Sequence, residues 1–439
     1  MASIGHLDPR KSGSVSSPRS RRALAATLLL TAFAAAQDEK PTFQATTRLL
    51  EFSFAAVDKK GAPITDLRKD ELVLLVDGKP YDLAFFRFEG SAAQAAPAPP
   101  ALPPGIFTNR IELTGGPARN ITALLIDSAN TEPKDQMFVK AQALQFLAAL
   151  APQTHVAVFQ LGQNLRVLHD FTSDMTSLRK SLKSVKVEFA SPKLSDMERL
   201  ATEADELLAR LGASENSPLG GQLYTAVAGE ANYNTLLQGN RVESTMTALD
   251  MLGRHLAGIP GRKSLIWISG GVAMTPVRVA PHRMPSQRAG QTNPAVGENH
   301  QKLIRAAAER LARSGIALYA VDARGIHSPA DDLASRQEPP SRRGVFLEVA
   351  ASESYGSDSR AGFDLLTTIT GGRFIFGTND FSQAIRKATA DLHGSYSLGF
   401  YPRDPQPAGW RKLQVTVRRP GVTLLHPSGF SLDAPSGEF

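Results

Sequence analysis

The chain is expected to fold as an α/β protein with a doubly wound, mostly parallel sheet. A β-sandwich-like module, built from the segments on either side of that sheet, should accompany it. Three observations carry this expectation. From residue 120 to about 393, apolar runs alternate with helical patterns, which is how strand–helix–strand units with parallel strands read. Within that region, ITALLIDSANT (121–131) is an apolar run ending in an acid and small polar residues. That is the form of a buried parallel strand emptying into a loop at its carboxyl end, where ligands bind in open α/β sheets. The flanking stretches, 43–89 and 395–439, show short alternating strands with turn signals between them.

The first 36 residues read as an export signal. A basic region ends at Arg22, and the apolar run ALAATLLLTAFAAA (23–36) closes on alanines that suit signal peptidase. The run is short for a transmembrane span. Ser20-Arg21-Arg22 also suits a twin-arginine signal, so both export routes stay open. No second apolar run of spanning length follows, so the mature chain is expected to lack a transmembrane helix and to be periplasmic or extracellular. The net charge of +7 falls to +3 once the five basic residues and one acid of this segment are set aside. So small a charge does not call for a nucleic-acid partner. There are no cysteines, which excludes disulfides, thiolate metal sites, cysteine nucleophiles and thiol-linked lipids.

The mature chain divides into four parts. An N-terminal β module (43–90) contains LLEFSFAAVD and ELVLLVDGKPYDLAFFRF, with turns signalled at Lys60-Gly61 and Asp77-Gly78. A Pro/Ala-rich linker (91–118) cannot build a core. The α/β region (119–394) has strands expected over 121–127, 155–161, 165–170, 264–269, 316–322 and 373–376. Helices are expected over 134–150, 241–257, 300–313 and 381–393. The short Gln163-Asn164 connection predicts a hairpin, hence one antiparallel strand. Stretches 191–240, 276–298 and 328–360 break the rhythm and read as loops or insertions. The C-terminal part (395–432) returns to β patterns in SYSLGFYP and KLQVTVRR. Each flank is short for an independent domain, so the two are expected to pack together with the α/β domain inserted between them.

Several segments occur in an order that resembles the VWFA-related acidobacterial domain family, within the von Willebrand factor A superfamily. They are VDKKGAPITDLRKDELVLLVDGKP (57–80), LLIDSANT (124–131), LHDFTSD (168–174), PGRKSLIWISGG (260–271), ALYAVDARG (317–325), TGGRFIFGTND (370–380) and SYSLGFYP (395–402). The resemblance covers nearly all of the mature chain. It implies an A-like fold and a role in adhesion or assembly, without a defined substrate.

The resemblance also implies a metal-ion-dependent adhesion site. In that site a D-x-S-x-S motif ends the first strand, a threonine comes from a later loop, and an aspartate follows the fourth strand. Mg²⁺ there takes a shell of hard oxygens. Asp127 matches the leading acid and Thr131 keeps the second hydroxyl, but Ala129 replaces the first serine. Ser269-Gly270-Gly271 stands where the later acid is expected. Thr245 and Thr235 are both open as the distant threonine. What remains is a degenerate site, with Asp127 and Thr131 as metal ligands and Ser128, Asn130, Ser269 and Asp322 lining a ligand cleft. No cofactor is demanded; Mg²⁺ or Ca²⁺ would be weakly held.

Each of these residues also has a plain structural role open to it. Asp127 can accept local backbone amides, and Asn130 and Thr131 can cap the helix that begins near Pro133. Asp322 can fix its own loop, and Trp267 reads as core. Gly261-Arg262-Lys263-Ser264 lacks the glycine before the lysine and precedes a strand, so it reads as a turn, not a phosphate loop. The expected function is an exported, non-enzymatic protein-interaction or adhesion-type protein that binds a protein partner. Two other functions stand beside it: a hydrolase or phosphatase using Asp127 and Asp322, and a metal-free structural envelope component.

Overall fold

The computed structural model describes residues 49–89, 121–150, 154–186, 203–204, 206–214, 217–259, 261–272, 294–325, 359–378, 380, 390–391, 394–402 and 409–432. The segment expected as an export signal (1–36) and the expected Pro/Ala-rich linker (91–118) lie outside the described residues, as does nearly all of the helix expected over 381–393.

The central sheet has six strands: β5 (Ile121–Asp127), β6 (His155–Leu161), β7 (Leu165–Thr172), β8 (Lys263–Ser269), β9 (Ile316–Asp322) and β10 (Arg373–Ile375). Their spatial order is β10-β9-β8-β5-β6-β7. All neighbours are parallel except β6 and β7, which form an antiparallel hairpin across the expected Gln163-Asn164 turn. Strands β5, β8 and β9 are buried at every position, as both faces of a parallel sheet require. Side chains of β5 alternate between two cores. Ile121, Ala123 and Leu125 face one; Leu124 and Ile126 face the other.

Helices cover both faces. α1 (Pro133–Ala149) and α2 (Met175–Lys183) pack Val139, Ala143, Phe146, Leu147, Leu178 and Leu182 on one side. The other side is closed by α3 (Pro218–Ala257) and α4 (Pro294–Arg313), together with a helical stretch over 359–370. On α3 the buried positions Val242, Met246, Leu249, Leu252 and Leu256 recur every three or four residues, the spacing of one helix face. This strand order, with one antiparallel edge strand and helices on both faces, is a von Willebrand A-like sheet.

Two stretches expected as irregular, 191–240 and 276–298, contain helix: α3 opens inside the first and α4 opens at Pro294 inside the second. Helix α3 begins at Pro218, far inside the stretch taken as a loop, because Ser217 caps it by accepting the Gly220 amide (3.1 Å) and Pro218 opens its first turn. The glycines of 220–239 lower helix propensity, but the helix continues into Val242–Leu256, which pack on the sheet. The stretch 359–370 is helical because Phe363, Leu366 and Ile369 form one apolar face on the core.

The flanking segments build two four-stranded antiparallel sheets. β1 (Leu50–Val57), β2 (Leu72–Val76), β3 (Lys79–Tyr81) and β4 (Phe85–Phe88) come from the N-terminal side. β11 (Ser395–Phe400), β12 (Gly409–Val417), β13 (Thr423–Leu425) and β14 (Gly429–Leu432) come from the C-terminal side. The orders β13-β1-β11-β4 and β14-β12-β2-β3 mix both sources in each sheet. The sheets face each other across Phe54, Leu74, Val76, Tyr396, Leu398, Phe400, Leu413 and Val415. The β2–β3 turn is Asp77-Gly78, both at positive φ (48° and 78°), as a two-residue hairpin demands.

This sandwich meets the α/β sheet at the amino ends of its parallel strands. Buried Arg262, just before β8, donates to Ser53 O on β1 (3.0 Å) and to Gly371 O before β10 (2.8 Å). Ser428 N reaches Ile369 O (3.1 Å). The carboxyl edge is therefore left to the βα loops. Arg262→Ala should lower unfolding free energy by about 3 kcal/mol in urea denaturation, because two buried carbonyls lose a charged donor. Arg262→Lys should recover little of it, since one ammonium replaces a fork that spans both carbonyls.

Candidate functional site

Strand β5 ends on Asp127, beside the end of β8, and Ser269 of β8 pairs with Asp322 of β9. The three residues thus lie on one edge of the sheet. The structure buries all of them, at 1%, 0% and 3% exposure, so the described part of this edge is a packed knot.

Asp127 is the centre of that knot. Its Oδ1 accepts the Asn130 backbone amide (2.9 Å). Its Oδ2 accepts Asn130 Nδ2 (2.8 Å), Trp267 Nε1 (3.1 Å) and Ser269 Oγ (2.8 Å). Burial pushes the carboxyl above its ordinary range, and the hydrogen bonds from Asn130, Ser269 and Trp267 pull it back only in part.

The loop after β5 is clamped from several sides. Ser128 N and Ala129 N donate to Leu161 O at the end of β6 (2.7 and 3.1 Å). Gln136, in the first turn of α1, donates to Ser128 O (3.1 Å) and Thr131 O (2.8 Å). Gln160 donates to Ser128 Oγ (3.0 Å). The Thr131 hydroxyl accepts Gly270 N (3.0 Å). Of the two candidate distant threonines, Thr245 on α3 reaches the knot, where its Oγ1 accepts Asn130 Nδ2 (2.9 Å). The side chain of Thr235 lies outside the described residues.

Asp322 is held separately. Arg324 donates to it through its backbone amide (3.1 Å), Nε (2.9 Å) and Nη2 (2.8 Å). Backbone alone links it to the knot, through Ala323 N to Ser269 O (2.9 Å). Trp267, Gln136, Gln160 and Arg324 went unnoticed in the sequence as site residues. Trp267 alone carried a signal, being an aromatic with one polar atom in a strand next to a strand-end acid.

The residues present do not fit a resident Mg²⁺. An ionised carboxylate offers about four lone-pair directions, two on each oxygen; three donors crowd Oδ2 and one engages Oδ1. Thr131 already accepts an amide. A Cβ at Gly270, where the resemblance implies the later acid, would lie 2.3 Å from Asn130 O. Among the described residues, no group of three or more histidine, cysteine, aspartate or glutamate side chains is placed to hold a metal.

No protein-family model and no curated protein matches the chain. Solved structures do. An aerotolerance-related membrane protein from Bacteroides fragilis is 12% identical, with 61% of this chain and 97% of that one covered and a TM-score of 0.28. Proximal thread matrix protein 1 from the mussel byssus, with a zinc-occupied MIDAS motif, is 11% identical, covering 65% of this chain and 48% of that one, TM-score 0.26. The PilB minor pilin from Streptococcus sanguinis is 9% identical, covering 62% of each chain, TM-score 0.32. Likenesses this distant say nothing of binding, and the fold assignment stands on the strand order. Among the described residues no helix is long and apolar enough to cross a membrane.

Asp127→Ala should cost about 3 kcal/mol or more, since several buried donors lose their acceptor. The sign of its pH dependence follows from the raised carboxyl. A folded-state pKa above the unfolded one adds stability at low pH, and that stability is lost as pH rises through the folded value. The gap between wild type and variant in urea unfolding should therefore be largest at low pH, below about 4 where the unfolded carboxyl titrates, and narrow as pH rises.

Proposed function

We propose that this chain is an exported, adhesion-type protein-interaction protein of the VWFA-related acidobacterial family, and that it is not an enzyme. The observation carrying this reading is the enclosure of Asp127. The residue best placed for chemistry is buried, with Oδ2 crowded by Asn130, Trp267 and Ser269 and Oδ1 held by the Asn130 amide. A carboxylate so engaged is a poor nucleophile or base, and Asp322 is engaged by Arg324 instead of sharing a proton with it. What this edge offers a partner is loop surface at the carboxyl ends of the strands, where A-like and other doubly wound sheets present their binding elements.

Recognition of a protein partner then rests on the loops, with Mg²⁺ or Ca²⁺ bound no tighter than about millimolar. Pull-down from an envelope extract, with and without chelator, tests this. The same partner should be retained in both, and Asp127→Ala, which loosens the loop after β5, should reduce it. Phosphatase or esterase turnover by the wild-type chain, lost in both Asp127→Asn and Asp322→Asn, would establish the hydrolase in its place.

Export makes a separate expectation. Protein recovered from the native host should begin at or near Gln37, as N-terminal sequencing would show. A soluble cytoplasmic chain that retains Met1 would overturn the compartment.

A further inference from the structure

We propose that the side-chain amide nitrogen of Asn130 stands where an A-like adhesion site would hold its divalent cation, which makes this edge of the sheet independent of metal. The proposal rests on the A-like reading of the fold. Two observations carry it.

The first is the bridge. Asn130 Nδ2 carries two hydrogens and uses both, one toward Asp127 Oδ2 (2.8 Å) and one toward Thr245 Oγ1 (2.9 Å). A single atom thus joins the strand-end carboxylate to a hydroxyl from a distant helix. A hard cation at this place would make the same connection between the same oxygens, at shorter distances of about 2.0–2.6 Å. The N–H groups supply partial positive charge in its stead. Trp267 Nε1 and Ser269 Oγ complete the shell around Oδ2, so the carboxylate is compensated by donors alone.

The second is the exclusion of the missing acid. The backbone that places the Asn130 carboxamide over Asp127 also places the Asn130 carbonyl over Gly270. There a Cβ would approach Asn130 O to 2.3 Å and Thr131 Cα to 3.3 Å. Gly270 N meanwhile donates to Thr131 Oγ1. One loop conformation therefore fills the cation position and bars the carboxylate that would have helped to hold the cation. The absence of the acid from the sequence and the presence of the amide are two sides of one packing arrangement.

The test is Mn²⁺ titration of the metal-stripped full chain, by calorimetry and by thermal melting, on wild type and Asn130→Asp. The substitution keeps the shape and replaces the bridging N–H₂ with a second carboxylate oxygen beside Asp127. Wild type should show no Mn²⁺-dependent melting shift up to about 10 mM, beyond the weak end of protein cation sites. Asn130→Asp should melt lower than wild type in chelator and be restored by Mn²⁺. It should bind Mn²⁺ at least about tenfold more tightly than wild type, and added Asp127→Ala should abolish that gain.

A residue that only shaped the turn would tolerate aspartate, which makes the same turn, and would show no Mn²⁺ response; that result overturns the proposal. So does a wild-type chain that binds Mn²⁺ more tightly than the variant. If Asn130→Asp fails to fold, Asn130→Ser must show the gain, and its failure to do so counts equally against the proposal. All of these readouts come from the isolated chain, so failure to capture a protein partner would count against the proposed function and leave this inference standing.

Discussion

A carboxylate buried at the end of a parallel strand sets the terms for the whole upper edge of this protein. Asp127 is almost fully enclosed, and an anion there is tolerable only if donors replace the water it has lost. Those donors come from the adjacent loop and from β8. The demand explains otherwise unrelated features: the curl of the chain over β6, the aim of the Trp267 indole, and the hydroxyl at Ser269. Gln136 and Gln160 then hold the loop in the shape that satisfies the acid.

The opposite edge answers a similar constraint with the opposite sign. Arg262 is buried where the sandwich meets the sheet and binds carbonyls on both sides of the joint. Buried Asp391 pairs with Arg373 (3.1 Å), and the Tyr319 ring lies in the same patch, so that burial raises both the Asp391 carboxyl and the Tyr319 hydroxyl. Close backbone contact adds to the joint. Gly371 sits at φ 71°, and a Cβ there would lie 2.3 Å from the His426 carbonyl carbon. The amino ends of the strands therefore carry the attachment of the β module, and the carboxyl ends remain for the loops.

The fold was legible wherever burial imposes a period. Fully buried strands such as β5 and β9 read as near-continuous apolar runs ending in an aspartate, and the hairpin turns declared themselves through Asp77-Gly78 and Gln163-Asn164. The pairing of the two distant flanks followed from the insufficiency of each alone. Legibility failed at α3, whose glycine-containing first half is weak by propensity, opens on the Ser217 cap and runs on into a second half packed on the sheet. The helix over 361–370 went without any expectation, since its apolar face becomes visible only against the sheet it covers.

In the candidate site the division is sharper. The amino-acid sequence by itself determined which strand ends carry Asp127, Ser269 and Asp322, because alternation of strand and helix orients all parallel strands alike. It also carries Ala129 and Gly270 at positions where the resemblance implies a hydroxyl and a carboxylate. Only the tertiary structure decided what the remaining groups do. Thr245 lies more than a hundred positions from Asn130 along the chain, and Trp267 lies as far from Asp127. Hydrogen bonds between residues so distant depend on the packing of α3 and β8 against the end of β5, and no local pattern in the sequence encodes their geometry.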